Sequence, residues 1–413
     1  MICRCLVYVG LMIAGIVTTA ACDSGNAPSA GLDAPLQENA LGAPEQAVSS
    51  SVPAWRDGEQ WQVTDSPVAV FGGASERGGI VTGRVLTAFR LGSGYLVVAD
   101  QQLLTLTWIA PNGQPSTTVG REGEGPGEFR ALSGVFLSAG DTIVVVDGVL
   151  ERMTLISPAA EVVRTEGMNA SVWGGRLRDE HRQLHPVVVG VLDGHRLIGS
   201  TITRFTDPPA GVVQDSVWLV IDSSGVTQPT FIGPIAGREY WASPGRTRAL
   251  PLGKVFSLGV RDGTAYLTTG KPAQITAVNL HDLSVRQFAI QRRLAVVDDE
   301  VIERTKRRLI QVQVASQRET AARVLAGVDY PDSIPAFMRI FIDGAAHVWA
   351  ERYRVDPGPT IFDVFDADGV WLGDVQAPQG IEVMQIGRDF IIARKRDTLG
   401  VDEIIVYPLR KAR

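Results

Sequence analysis

Gly94-Tyr-Leu-Val-Val-Ala-Asp100 and Asp141-Thr-Ile-Val-Val-Val-Asp147 are near copies, 47 residues apart. Each is a short β-branched run ending in Asp, the composition of a strand running into a turn. Weaker echoes follow at Gly194 to Ser200, Gly263 to Thr269, Ala346 to Arg352 and Arg388 to Arg394. After each comes a second apolar segment ending in a turn or at the chain end. Leu103 to Ile109 precedes Pro111-Asn-Gly113, Ser216 to Ile221 precedes Asp222-Ser-Ser-Gly225, and Thr360 to Phe365 precedes Asp366-Ala-Asp-Gly369. Strands separated by Gly, Asn and Asp turns are hairpins, and a unit of about four strands repeated at this interval is the pattern of a β-propeller.

Six units can be counted, with seven as the alternative. The last, ending at Glu403-Ile-Ile-Val-Tyr407, stops without a fourth strand, while Trp61 to Phe71 supplies a strand with no unit of its own. Joining the two would close a ring and remove an open sheet edge. The expectation is therefore an all-β fold, a single six-bladed β-propeller over 56–413. One segment breaks the pattern. From Asp298 or Asp299, through Ile302, Leu309, Val312 and Ala315 to Gly327, the apolar spacing is helical, with an acidic first turn and a terminal Gly. It predicts a helical insertion between blades four and five.

The 413 residues carry 44 Gly and a formal net charge of −6, a globular and turn-rich profile that does not mark a nucleic-acid binder. Cys3, Cys5 and Cys22 are the only cysteines, so the body has no disulfide framework, no Cys-based zinc site and no thiol nucleophile. Residues 1–21 hold one positive charge, then a short apolar run, Leu6 to Val17, then Thr18-Thr-Ala-Ala21 before Cys22. This resembles a bacterial lipoprotein signal peptide in which Cys22 is acylated, although Thr19 stands where Leu is usual. An ordinary secretory signal is the alternative, and both imply export. Residues 22–55, poor in large apolar side chains, read as a flexible tether. The expected location is the bacterial cell envelope, periplasm-facing or surface, on a membrane not specified.

Val119-Gly-Arg-Glu-Gly-Glu-Gly-Pro-Gly-Glu-Phe129, followed by the Asp141 to Asp147 strand, resembles the NHL-repeat type of propeller. More closely, it is similar to the bacterial exported six-bladed β-propeller lipoproteins, mostly of undefined function. The sharp part covers about one blade and implies fold far more than activity. The Arg121 to Phe129 glycines lack a following Lys-Ser/Thr and a helix, which excludes a phosphate loop. They suit a tight crossing in which Phe129 plugs between blades.

Other candidate chemistry reads as structural. His181-Arg-Gln-Leu-His185 has Arg182, not Glu, directly after its first His, so a metalloprotease site is not formed. His195, His281 and His347 have no partner discernible in the sequence. Asp366-Ala-Asp368-Gly369 lacks the downstream ligands of a calcium loop and falls at a hairpin turn. The Arg304, Lys306, Arg307, Arg308 run reads as a solvated helix face. No cofactor or metal set and no catalytic set is recognisable.

The expected crossings between blades, 73–84, 121–130, 167–187, 234–252 and 291–337, together hold eighteen Lys/Arg against fourteen Asp/Glu in a chain that is net acidic. They also carry Trp173, Tyr240, Trp241 and Tyr330. Long loops on a rigid scaffold are where recognition resides. The expectation is a membrane-tethered binding or scaffold module that presents this face to an acidic or glycan-like ligand or an envelope protein, through Trp173, Arg238, Tyr240, Trp241 and Arg246. A metal-dependent propeller hydrolase or lyase is the alternative.

Overall fold

The computed structural model describes residues 38–39, 41–168, 178–179, 182–192, 197–205, 208–221, 230–243 and 246–411. Among them the strands form six sheets, numbered here one to six in chain order, of four to seven strands each. Sheet one is Val85–Arg90, Leu96–Asp100, Thr105–Ile109 and Pro115–Val119, each strand antiparallel to the last. Sheet two, Gly134–Leu137 to Val162–Gly167, repeats that meander. Sheet three runs to Thr230–Ser243, sheet four from Ser257–Arg261 to Val285–Ile290, sheet five from Phe337–Ile342 to Trp371–Ala377, and sheet six from Glu382–Ile386 to Asp402–Arg410.

The duplicated apolar runs are second strands, and their lack of alternation has a packing cause. In Ile143–Asp147, Ile143 and Val145 pack with Leu106 and Trp108 of sheet one. Val144 and Val146 pack on the other side with Trp218, Val220 and Phe231 of sheet three. Successive side chains leave a strand on opposite faces, so a strand buried on both must be apolar at every position. In sheet one, Val97 and Ala99 face sheet two, while Leu96 and Val98 pack against Ile392 and Ile404 of sheet six. Similar cores join sheets three and four, four and five, and five and six, so the packing runs through all six sheets and returns to the first. The first strands follow the same cycle, each touching the next and the last touching the first. This is a β-propeller-like fold.

Closure uses the strand left over in the sequence. Ala69–Gly72 lies antiparallel to Asp402–Arg410, with Phe71 opposite Ile404 and Val70 opposite Ile405, and so completes sheet six. Ahead of it further residues pair with sheet edges. Gln46–Ser50 pairs in parallel with the outer strand of sheet four, and the Ala54 and Trp55 amides donate to Trp371 and Leu372 carbonyls on the outer strand of sheet five. Gln62–Val63 then pairs with the end of Asp402–Arg410. Main-chain pairing at open sheet edges holds this polar segment, so its composition alone gave no sign of order.

The two end Asp residues of the repeat are also explained. Asp100 accepts from the Gly83, Arg84, Gln102 and Leu103 amides, and Asp147 from those of Arg130, Ala131, Val149 and Leu150. Each ties its own turn to the crossing that arrives from the preceding sheet. Phe129 is fully buried between sheets one and two, as its loop suggested. Asp366 is a turn residue: its side chain accepts from the Asp368 and Val370 amides, with Gly369 at positive φ.

The helical segment lies in the chain between sheets four and five, and it is two helices rather than one stretch. We label Asp299–Gln311 α1 and Arg318–Ala326 α2. Asp298 is the cap of α1, its carboxylate accepting from the Val301 amide at 2.9 Å. A 3-10 turn, Ala315–Gln317, separates the helices. No helix among the described residues is long and apolar enough to cross a membrane.

Candidate functional site

At one end of the fold each sheet hands over to the next, and this crossing end carries most of the sequence-predicted residues. Their placement differs from expectation in one respect. The segment 234–252 is not a loop: Thr230–Ser243 is one long strand paired with the long Gly211–Ile221, and it also pairs with the short strand Arg246–Ala249. The outer strands of sheet three therefore form a long hairpin, because the partner strand continues to offer ladder hydrogen bonds.

That hairpin divides the predicted set. A bulge sets Gly237 and Arg238 against Asp215, since Gln214 pairs with Glu239 and Ser216 with Ala236. Bulges re-aim the side chain they displace. Arg238 and Tyr240, two residues apart, share one face. Trp241 lies on the other with its cross-strand partner Arg248, and the exposed Arg246 pairs with Ser243. Trp241 reaches the helices: its Cζ2 is 4.0 Å from where a Cβ on Gly327, at the end of α2, would stand. Trp173 and Cys22 lie outside the described residues, as do His181, His195 and the side chain of His185.

Around Arg238 the structure gathers residues that were not singled out in the sequence. Burial lowers the pKa of the Arg238 guanidinium from its ordinary value, while Tyr240, Tyr353 and Asp215 act on it in the opposite sense. Burial likewise raises the Tyr240 and Tyr353 phenols, and Tyr353 also senses Arg308 of α1. Nearby, burial lowers the Lys271 ammonium, against the influence of Glu239. Among the described residues no carboxylate lies in ion-pair contact with Arg238. Tyr353 follows directly on the second strand of sheet five, the position equivalent to the turns after Asp100 and Asp147, so strand spacing could have found it.

Several other cations of the crossings are held in ion pairs. Arg121 pairs with Glu128 at 2.6 Å, and Arg130 with Glu122 and Glu124 at 3.2 Å each. Arg304 pairs with Glu300, Lys306 with Glu303 and Arg323 with Glu319, along the helices. These pairs lie within the counted crossings, so the basic surplus of those segments remains.

Sheets five and six carry a second charged system at the same end. Asp363, fully buried, accepts from Arg352 at 2.7 and 2.9 Å and from Arg292 at 2.8 and 2.9 Å. Glu351 is held by Arg339 at 2.7 Å, and Arg339 continues to Glu382, which meets Arg394 at 2.5 Å. Arg394 then reaches Asp402 at 3.5 Å and the Val85 carbonyl of sheet one. Each buried carboxylate here is saturated by guanidinium donors, which suits joining sheets rather than proton transfer.

At the opposite end His347 has a partner after all. Its Nδ1 lies 3.0 Å from Asp343, whose carboxylate also accepts from Lys411 at 2.8 Å and the Trp349 indole at 3.2 Å. Trp61 stacks its face under the Lys411 ammonium at 4.0 Å. Among the described residues no group of three or more His, Cys, Asp or Glu is placed to hold a metal ion.

No protein-family model and no curated protein matches the chain. Solved structures do. A DUF4221 family member from Bacteroides vulgatus aligns at 12% identity over 86% of this chain and 99% of its own, with a TM-score of 0.49. A candidate exported protein from Bacteroides fragilis aligns at 11% identity over 91% and 100%, TM-score 0.46. A catalytically inactive virginiamycin B lyase from Staphylococcus aureus, with quinupristin, aligns at 8% over 85% and 100%, TM-score 0.38. Likenesses this distant transfer no functional residue, so the site is argued from this chain's own geometry.

Proposed function

We propose that the chain is an exported, lipid-anchored, six-bladed β-propeller that binds an acidic ligand of the glycan type at its crossing end. The helical pair is then an insertion between blades four and five. The supporting observation is Arg238, a half-buried guanidinium opposite Asp215 on the hairpin, within the electrostatic reach of Tyr240 and Tyr353 and with no ion-pair carboxylate among the described residues. A desolvated cation gains from a matching anion, because the low local dielectric strengthens the pair, and the flanking rings offer apolar faces and hydroxyls to a sugar. Trp241, Arg246 and Arg248 would extend contact around the hairpin. A hydrolase or lyase reading has no observation of its own to favour it.

The test uses the protein purified from membranes in mild detergent, titrated with oligogalacturonate and with the neutral oligosaccharide maltotetraose. At a hundred times its dissociation constant the acidic sugar should add about 2.7 kcal/mol of apparent stability. Arg238→Met should keep the unliganded midpoint and lose that shift. A shift retained in Arg238→Met, or none with any acidic sugar, refutes the site. Labelled palmitate entering the wild type but not Cys22→Ala checks the anchor.

A further inference from the structure

We infer that residues 41–63 form a strap that opens as a unit of its own and takes up movement of the N-terminal anchor before it reaches the strand that closes the ring; this rests on the reading of the chain as anchored through Cys22. The chain visits the sheets in order along their outer edges. Glu38–Asn39 pair in parallel with Thr230–Ser243 of sheet three, opposite Phe231 and Ile232. Gln46–Ser50 pair in parallel with Val285–Ile290 of sheet four, and the Glu45 amide donates to the Val285 carbonyl at 2.9 Å. Ser50 bridges onward. Its carbonyl accepts from the Gln291 amide at 2.9 Å, and its hydroxyl oxygen from the Trp371 amide of sheet five at 3.2 Å. Trp55 then lies on sheet five and Gln62–Val63 on sheet six. Only after this does the chain enter Ala69–Gly72, the closing strand.

Strap and closing strand are held differently. No residue from 41 to 63 is fully buried; Leu41, Val48, Trp55, Trp61 and Val63 are half-buried, and the positions between them are mostly exposed. Phe71, by contrast, is buried in a core with Val85, Val98 and Ile392. Main-chain pairing at a sheet edge with little apolar cover is the part of a fold that opens most readily. Because the strap precedes the closing strand in the chain, a pull from the N-terminal side reaches the strap first.

The side chains that fix the strap are aromatic. Trp55 sits over Gly373 on the outer strand of sheet five, its Cε3 only 2.5 Å from the position a Cβ would take, so glycine leaves the indole its place. Trp61 is gripped from several sides. Its ring lies 4.9 Å from Trp55 and 5.7 Å from the buried Trp349, His347 meets it edge to face at 4.8 Å, and the Lys411 ammonium stands 4.0 Å from its centre. His347 and Lys411 are both held by the fully buried Asp343, so one carboxylate positions two groups that close on the strap. A cation over an indole and stacked rings hold a side chain without burying it deeply. This buckle is the main side-chain hold on the strap, and loosening it frees the strap without touching the sheet cores.

Hydrogen exchange on the whole protein in mild detergent tests this. Amides of Glu45, Ala54, Trp55 and the paired stretch Gln46–Ser50 should exchange about tenfold faster than those of Ala69–Gly72, or faster still. Trp61→Leu, and separately Lys411→Met, should speed strap exchange severalfold and leave Ala69–Gly72 and the sheet-two strand Ile143–Asp147 unchanged. The two variants loosen the same grip from opposite ends of the chain, so agreement between them is not a folding defect of either. Strap amides as slow as the closing strand's, or a closing strand that speeds up in step with the strap, overturn the inference. A strap that neither substitution moves overturns it too. If the strap opens alone but labelled palmitate fails to enter the wild type, the strap stands and the anchor reading is what fails.

Discussion

Replacing Asp402 by Asn perturbs the seam where the last sheet meets the first. Asp402 is 2% exposed, and its Oδ2 accepts from the Val85 amide of sheet one at 3.0 Å. The same carboxylate faces Arg394 at 3.5 Å and Arg396 at 3.3 Å. Asn keeps the shape and an oxygen for Val85 but removes the charge. Breaking a fully buried pair costs about 3–5 kcal/mol. Two features reduce that here: both guanidinium contacts are long, and Glu382 still compensates Arg394 at 2.5 Å. The expected loss is therefore about 2–3 kcal/mol, which in a chain of this size lowers the midpoint by roughly 3–4 °C. Thermal unfolding followed by circular dichroism measures it, with Asp368→Asn on the exposed Asp366–Gly369 turn as control, expected within about 0.5 kcal/mol of wild type. If Asp402→Asn moves the midpoint no further than Asp368→Asn, the seam is not held by this charge and the ring-closure argument loses its electrostatic part.

Phe129→Ala should cost about 3–5 kcal/mol, because the ring is fully buried between two sheets that cannot both collapse onto the gap; urea denaturation midpoints check it. Asp343 adds a pH signature. Burial alone would raise its pKa, but hydrogen bonds from His347 and Lys411 hold it well below the usual carboxylate range. A lowered folded-state pKa stabilises the protein above the unfolded value, and that stability is lost as pH falls below about 4. Wild type should therefore lose more stability between about pH 5 and pH 3 than Asp343→Asn, and equal losses would refute the linkage.

Much of the architecture was legible because it rests on local rules. The 47-residue echo, the unpaired strand near Trp61 to Phe71 and the Asp298 to Gly327 punctuation are all short-range signals, and each names an element the structure contains. Side chains that serve turns were equally readable, as at Asp366, since a turn is made by neighbours in sequence. The segment 234–252 was read as a crossing loop because strands here are lengthened by each other, and strand length is a property of a pair.

The candidate site follows the same division. Sequence by itself determined that strands repeat, that Phe129 fills a crossing and that Arg238, Tyr240 and Trp241 stand close together. Only the tertiary structure decided that a bulge sets Arg238 against Asp215, within the electrostatic reach of Tyr353 more than a hundred residues away, and that Trp241 lies near the end of α2. It also decided that His347 belongs with Asp343 and Lys411. Burial, dielectric and ion pairing depend on which distant segments are brought together, and a linear pattern of residue types carries no measure of that distance.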